Sequence, residues 1–295
     1  MHKTLREPLV YIAFLLPTLA LYVLLSVYPV VVSFTYGLYQ WDGITAKIFI
    51  GLDNFVRLWK DEVFLKAMAN NFYFMAFSLF VNIPIVFVMA ILISKVSRLR
   101  QFYKSAVFVP VLVSTATAAL LFSVLYNYDA GLINQLIRLV APDSWAREWL
   151  SDPRLAMLSI LTVNAWQNIG FFIILALAAI LNIPKEIVEA ARIDGVNGWT
   201  EAWHITLPLT MPTLFVMLLL TVSGTMRVVD IVQIMTGGGP YQATEVMSTY
   251  MMKVGFNFME LGYGSAIGST MFLVILVLTG ILHLMMRGRN KGLPS

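Results

Sequence analysis

The chain has 295 residues and a formal net charge of +4, with 59% hydrophobic and only 12% charged residues. Soluble domains are about 45–50% apolar and about 25% charged, so this composition excludes an ordinary soluble protein and indicates a membrane protein. Cysteine is absent, which excludes disulfides and thiolate metal sites.

Six predominantly apolar segments are long enough to cross a bilayer, which takes roughly 20 residues at about 1.5 Å per residue. The first is longer than the apolar region of a cleaved signal peptide, about 7–15 residues, so we interpret it as a retained helix. Together the segments predict an all-α polytopic membrane protein, with residues 1–295 forming a single transmembrane domain. The predicted spans are 9–38, 68–94, 105–127, 155–183, 207–229 and 262–286.

The distribution of Lys and Arg predicts the orientation of these spans. With the N-terminus inside, the cytoplasmic segments carry eleven Lys or Arg against five Asp or Glu, including Lys3, Arg6, Glu7 and Lys291. The outer loops carry eight basic residues against eleven acidic ones. We therefore expect a multi-pass protein with both termini cytoplasmic.

Segments 42–66, 128–154 and 231–260 are predicted to be outer loops. The second of them carries Trp145 and Trp149 among charged residues, a pattern typical of an amphipathic surface. This surface is expected to rest on the membrane, with docking to a protein partner as the alternative.

The segment 184–207, between spans four and five, is predicted to be cytoplasmic. Pro184 suits the first position of a helix, and Gly195 suits its stop, because glycine adopts the left-handed cap conformation without steric cost. A second short helix is expected from about Trp199 to Ile205, ending as Pro208 opens span five. On residue chemistry alone, an ordinary connection lying on the membrane surface remains the alternative.

This segment resembles the EAA loop of permease subunits of binding-protein-dependent ABC importers. Val196 and Ala202 depart from that pattern. Further matches are IGLDNF at 50–55, TGGGP at 236–240 and LGYGSA at 261–266, and the combination is similar to the carbohydrate-uptake branch, whose members include maltose, glycerol-phosphate and oligosaccharide permeases. The residues that match the loop pattern are Glu189, Ala190, Ala191, Asp194, Gly195, Ile205, Leu207, Pro208 and Pro212.

The resemblance implies a type I ABC importer permease of a bacterial or archaeal cytoplasmic (inner) membrane, whose EAA loop is a coupling helix. The implied partners are a second permease, a dimer of ATP-binding subunits, an extracytoplasmic solute-binding protein, the sugar and membrane lipid, but no nucleic acid. The chain has no G-x-x-x-x-G-K-[ST] motif, so ATP and Mg are expected on the partner ATPase. No cofactor, metal or catalytic residue is expected on this chain.

Polar residues within the spans are candidates for a solute path, since each is costly in lipid unless it faces protein or water. Amides, hydroxyls and aromatic faces suit sugars. For each residue, an interhelical hydrogen bond is the alternative, and for Asn82 in span two it is the favoured interpretation. Alignment with the maltose-type permease implies path positions at Asn164, Gln167, Asn168, Phe171, Thr221 and Thr225.

The main competing function is that of a secondary, ion-coupled solute carrier. Such carriers use buried ionisable groups or broken helices near the midplane, often in inverted repeats. The span interiors here lack acidic residues and show no paired halves. The predicted function is therefore the membrane permease subunit of an ATP-driven sugar importer, with the ion-coupled carrier as the alternative.

Overall fold

The computed structural model describes residues 8–290. Lys3, Arg6, Glu7 and Lys291, which contribute to the predicted orientation, lie outside the described residues. The described chain is mainly helical, with one antiparallel pair of short strands, β1 (Tyr39–Gln40) and β2 (Ile48–Phe49). The helices are α1 (Pro8–Tyr22), α2 (Tyr28–Tyr36), α3 (Asp53–Leu58), α4 (Glu62–Phe77), α5 (Ile83–Lys95), α6 (Arg100–Phe108), α7 (Thr115–Leu125), α8 (Leu132–Val140), α9 (Ala156–Leu181), α10 (Lys185–Ile193), α11 (Gly198–Glu201), α12 (Leu207–Met226), α13 (Asp230–Met235), α14 (Met247–Met252) and α15 (Leu261–Asn290).

Five helical stretches among the described residues are long and apolar enough to cross a membrane. The third predicted span differs from the straight helix expected over 105–127. It consists of α6 with a 3₁₀ turn at Val109–Leu112, followed by α7 after a bend of 91°. Ser114 begins α7 by accepting a hydrogen bond from the Thr117 backbone N–H at 3.2 Å. The five continuous stretches are Phe14–Tyr36, Glu62–Lys95, Ala156–Leu181, Gly198–Met226 and Leu261–Met286.

Three of these stretches continue through a proline by means of a π-helical turn. The turns Val23–Val27, Ser78–Asn82 and Ala202–Thr206 lie just before Pro29, Pro84 and Pro208. In each, the residue before the proline donates its backbone N–H to the carbonyl five residues earlier. Proline has no N–H, and its ring clashes with the carbonyl four residues earlier in a regular helix. The wider turn relieves that clash, so the helix continues where a proline would otherwise end or kink it.

The chain divides into two compact units, and the first comprises residues up to 62 together with 250–273. Two of the sequence motifs noted above pack within it. The Asn54 side-chain amide donates to the carbonyls of Gly37 and Tyr39, both at 2.9 Å, and the Gly262 N–H donates to Trp41 at 2.9 Å. A Cβ at Gly262 would lie 2.0 Å from the Tyr39 carbonyl oxygen, so only glycine permits this approach. IGLDNF and LGYGSA therefore have a packing role in this unit.

A polar cluster also stabilises the first unit. The Tyr250 and Tyr263 hydroxyls both donate to the Asp61 carboxylate at 2.6 Å. Arg57 pairs with Glu260 at 2.7 Å, and its guanidinium lies 3.9 Å from the Tyr263 ring centroid. Burial, together with the hydrogen bond to Asp61, raises the pKa of Tyr250 above its usual value. The Tyr250 hydroxyl therefore stays protonated, and keeps donating, above the pH at which an exposed tyrosine ionises.

The second unit, 63–249 with 274–295, is organised around α9. This helix packs against α5, α7 and α12, and its buried residues include Ile160, Val163 and Leu177. The loop after α13, which contains TGGGP, is held against α4 by Asn71. This fully buried amide donates to the Thr225 carbonyl at 3.0 Å and accepts from the Met247 N–H at 2.8 Å. Segment 231–244, within the predicted outer loop 231–260, thus forms a short helix and an anchored loop.

Candidate coupling segment and solute path

The segment between α9 and α12 begins with α10, which ends in a well-defined stop. The Val196 N–H donates to the Ala191 carbonyl at 3.0 Å, and the Asp194 N–H donates to Ala190 at 3.1 Å. Gly195 has φ +80°, in the left-handed region that favours glycine. The bond from Val196 back to Ala191 is that of a Schellman cap. The predicted helix stop at Asp194-Gly195 is therefore present.

The EAA residues lie on an open surface. Glu189 and Ala190 are exposed, whereas Ala191 is buried. Ile193 at the end of α10 is 87% exposed. Trp199 and Trp203 are also exposed, with ring centroids 5.9 Å apart. Exposed apolar and aromatic groups of this kind typically mark interaction surfaces.

The next helix begins at a cap that the sequence analysis missed. The Asn197 side chain accepts hydrogen bonds from the backbone N–H groups of Trp199 and Thr200 at 3.2 and 3.0 Å. Asn is among the preferred N-cap residues, so its position just before Gly198 was the available signal. The prediction that a second short helix ends before Pro208 is wrong. Helix Gly198–Met226 is continuous, because the π turn accommodates the proline.

The later residues of the EAA-loop pattern lie within this continuous helix, and two of them are less exposed to solvent than Glu189 and Ala190. Ile205 and Leu207 are partly buried, whereas Pro208 is exposed. Thr206, between them, is buried.

Four of the six predicted path residues line one pocket of about 200 Å³ in the second unit: Asn164, Asn168, Thr221 and Thr225. The Asn168 side-chain amide donates to the Asn164 carbonyl at 3.0 Å. Thr221 is 7% exposed, and its hydroxyl has no hydrogen-bond partner among the residues that the structure describes. A buried hydroxyl without a partner is unusual, because its desolvation is then uncompensated.

The other two predicted path residues lie outside this pocket. The buried Gln167 side chain donates to the Val113 carbonyl at 2.8 Å and to the Thr115 hydroxyl at 3.3 Å. It thus satisfies a carbonyl at the bend between α6 and α7. Phe171 is 44% exposed and makes an edge contact with Phe172 at 5.3 Å.

Span two contributes polar groups that the sequence analysis did not assign to a path. Ser78 and Asn82 line the same pocket as Asn164 and Thr221. The sequence favoured an interhelical hydrogen bond for Asn82. In the structure this residue instead lines a cavity. The available signal was Pro84, since a proline inside a continuous span requires a local distortion of the helix.

Comparison with known proteins gives matches over most of the chain. The family model described as binding-protein-dependent transport system inner membrane component matches residues 58–291. The chain is 37% identical over 270 residues to the probable ABC transporter permease protein YurN of Bacillus subtilis, covering 90% of this chain and 92% of the relative. It is 32% identical to the osmoprotective compounds uptake permease GgtC of Synechocystis, covering 79% and 84%. It is 30% identical to the lactose transport system permease LacF of Rhizobium radiobacter, covering 90% of each.

Solved structures of ABC transporters also match this chain, and they match it in fold. A chain of the bacterial alginate ABC transporter, crystallised in complex with an alginate pentasaccharide-bound periplasmic protein, matches with a TM-score of 0.85. The identity is 25%, and the match covers 97% of this chain and 96% of that chain. The predicted fold class, an all-α polytopic ABC importer permease, is confirmed.

Proposed function

Since the chain belongs to the family of binding-protein-dependent transport system inner membrane components, we propose that this membrane permease forms the solute path of an ATP-driven sugar importer. The sugar is supported by the lactose permease and the alginate transporter among similar proteins. The observation that carries the proposal is the pocket in which Asn164, Asn168, Thr221 and Thr225 meet. Amides and hydroxyls of this kind match the neutral hydroxyl groups of sugars.

The ion-coupled carrier receives no support from the comparisons, which match ABC transporter permeases. The bend between α6 and α7 is a broken helix, a feature that ion-coupled carriers also use. Here Gln167 satisfies the Val113 carbonyl at the bend, and the described residues that line the pocket include no ionisable group. The bend therefore needs no coupling ion to explain it.

We propose that ATP is hydrolysed on a partner dimer of ATP-binding subunits, which holds the ATP and Mg. A second permease would complete the path, and an extracytoplasmic solute-binding protein would deliver the sugar. The family description and the periplasmic protein in the alginate complex support these partners. The family description supports placement in a bacterial or archaeal inner membrane. The Lys and Arg distribution supports an orientation with both termini cytoplasmic.

The proposed coupling element runs from Glu189 to Gly195. Its helix is short, exposed and fixed at its end by the Schellman cap, so it suits a rigid contact with the ATPase. Leu207 and Pro208 continue into α12, which carries Thr221 and Thr225. Movement of the coupling element would therefore reach the pocket through one continuous helix.

For the path itself, Asn164, Asn168, Thr221 and Thr225 would contact the sugar. Gln167 would act indirectly by fixing the bend in span three, and Phe171 would present an aromatic face outside the described pocket. The test is sugar uptake by the complete transporter carrying Asn164→Ala or Asn168→Ala, with Thr162→Ala on the exposed side of α9 as the matched control. Reduced uptake with normal assembly supports the path, whereas normal uptake in both single variants and in the double variant rejects it.

A further inference from the structure

Span two contributes one wall of the pocket. That wall lies where the helix of span two is locally distorted. The π-helical turn Ser78–Asn82 joins α4 to α5 and closes with a bond from the Ile83 N–H to the Ser78 carbonyl. Pro84 follows at once and accounts for the turn. Single π turns inside α-helices occur frequently at functional sites. In this helix, the two polar residues at the ends of the turn, Ser78 and Asn82, both line the pocket.

The same pocket is lined by polar groups of α9 and α12. Thr221 is the most informative, since its buried hydroxyl has no partner among the described residues. A hydroxyl both donates and accepts, so a ligand with hydroxyl groups would satisfy it fully. Phe74 and Phe172 add aromatic surface to the same lining. Aromatic faces pack well against the apolar face of a ring.

The size and charge of the pocket define the class of ligand. Its volume is about 200 Å³, and a cavity of about 150 Å³ is sufficient to hold benzene. The space is therefore large enough for one six-membered ring. No charged side chain is present among the described residues that line it. A carboxylate would find no compensating cation among these residues, which is unfavourable in a partly buried site.

We propose that the π turn of span two places Ser78 and Asn82 in the same pocket as Thr221, as a third wall of the solute site, and that this site accepts a neutral sugar ring and rejects a uronate. The proposal rests on the proposed function and refines its substrate class. It also assigns Asn82 a role in binding.

The experiment uses the complete transporter in liposomes, with its second permease, ATPase and solute-binding protein. Uptake and ATP hydrolysis are measured on the same preparation with maltose, lactose and a galacturonate disaccharide. Asn82→Ala and Ser78→Ala are compared with Ser94→Ala, a variant in the same span whose hydroxyl bonds to the Ile91 carbonyl outside the pocket. Loss of a hydrogen bond to the sugar is expected to lower the sugar moved per ATP by about tenfold in Asn82→Ala, whereas Ser94→Ala keeps the wild-type ratio and hydrolysis rate.

The possible results separate the inference from the proposed function. An unchanged ratio of sugar to ATP in both Asn82→Ala and Ser78→Ala would overturn the role of span two. Equal transport of the galacturonate disaccharide and a neutral disaccharide would overturn the neutral-ring assignment, although the protein would still be a sugar importer. ATP-independent uptake, or the absence of uptake of every sugar, would count against the proposed function itself.

Discussion

Replacement of Gly195 by valine tests whether the geometry of the coupling element matters. Gly195 has φ +80°, and a Cβ built there meets no other atom within 4 Å. The new Cβ therefore has space, and the substitution acts in this chain mainly through backbone strain. A residue with a side chain in the left-handed conformation costs roughly 1–2 kcal/mol, and valine is β-branched. Such a cost reduces the population of the capped helix end about 5- to 30-fold relative to uncapped conformations.

The assay is co-purification of the ATPase with the assembled permease, followed by sugar uptake and binding-protein-stimulated hydrolysis on the same preparation. Gly195→Val is expected to insert in the membrane but to lose ATPase from the complex or to uncouple hydrolysis from uptake. Gly195→Asn is the matched control, because asparagine tolerates the left-handed conformation. It is expected to stay near wild type.

Wild-type values for Gly195→Val in all three measurements would refute the reasoning, since the capped geometry would then be irrelevant to coupling. The same reduction in Gly195→Val and Gly195→Asn would also contradict it. In that case side-chain bulk at the partner surface, rather than backbone strain, would explain the loss.

Three further predictions concern other parts of the chain. Asn71→Ala removes a fully buried amide with two hydrogen bonds and is expected to lower the free energy of unfolding by about 1–3 kcal/mol; a thermal midpoint equal to that of wild type would contradict this. The exposed apolar side of α8, which includes Leu136, is expected to rest in the outer lipid interface together with Trp145. Since the chain has no cysteine, a nitroxide on Leu136→Cys should be accessible to oxygen but not to an aqueous nickel chelate, and the reverse would refute membrane contact. Reporter fusions are expected to read outside after Gly131 and inside after Arg289, and a cytoplasmic reading at Gly131 would refute the topology.

The sequence was sufficient to predict the class of fold, because length and hydropathy report directly on helices that face lipid. It also predicted the helix stop at Gly195, since the requirement for a positive φ there depends on local backbone chemistry. The assembly of Asn164, Asn168, Thr221 and Thr225 around one pocket was anticipated through the family resemblance. In contrast, residue chemistry alone did not distinguish a role in the solute path from an interhelical hydrogen bond for any of these residues.

The features that the sequence did not predict depend on the direction of helix axes and on side-chain packing. Hydropathy reports neither. The residues at 105–127 are free of charge and mainly apolar, as either a straight or a bent span would be, so the sequence did not reveal the 91° bend. The amide of Gln167 serves that bend and not the pocket. Similarly, Pro208 predicted a helix boundary, whereas a π turn one residue upstream lets the helix continue. Asn82 lies in the π turn Ser78–Asn82 and lines the pocket, and hydropathy alone does not predict such a turn before Pro84.

The most direct test of the central claim is sugar uptake into proteoliposomes that contain this chain, its second permease and the ATP-binding subunits, with the solute-binding protein added outside. The account predicts uptake that requires both internal ATP and the solute-binding protein and that is unaffected by ionophores. Uptake driven by a proton or sodium gradient in the absence of ATP would contradict it.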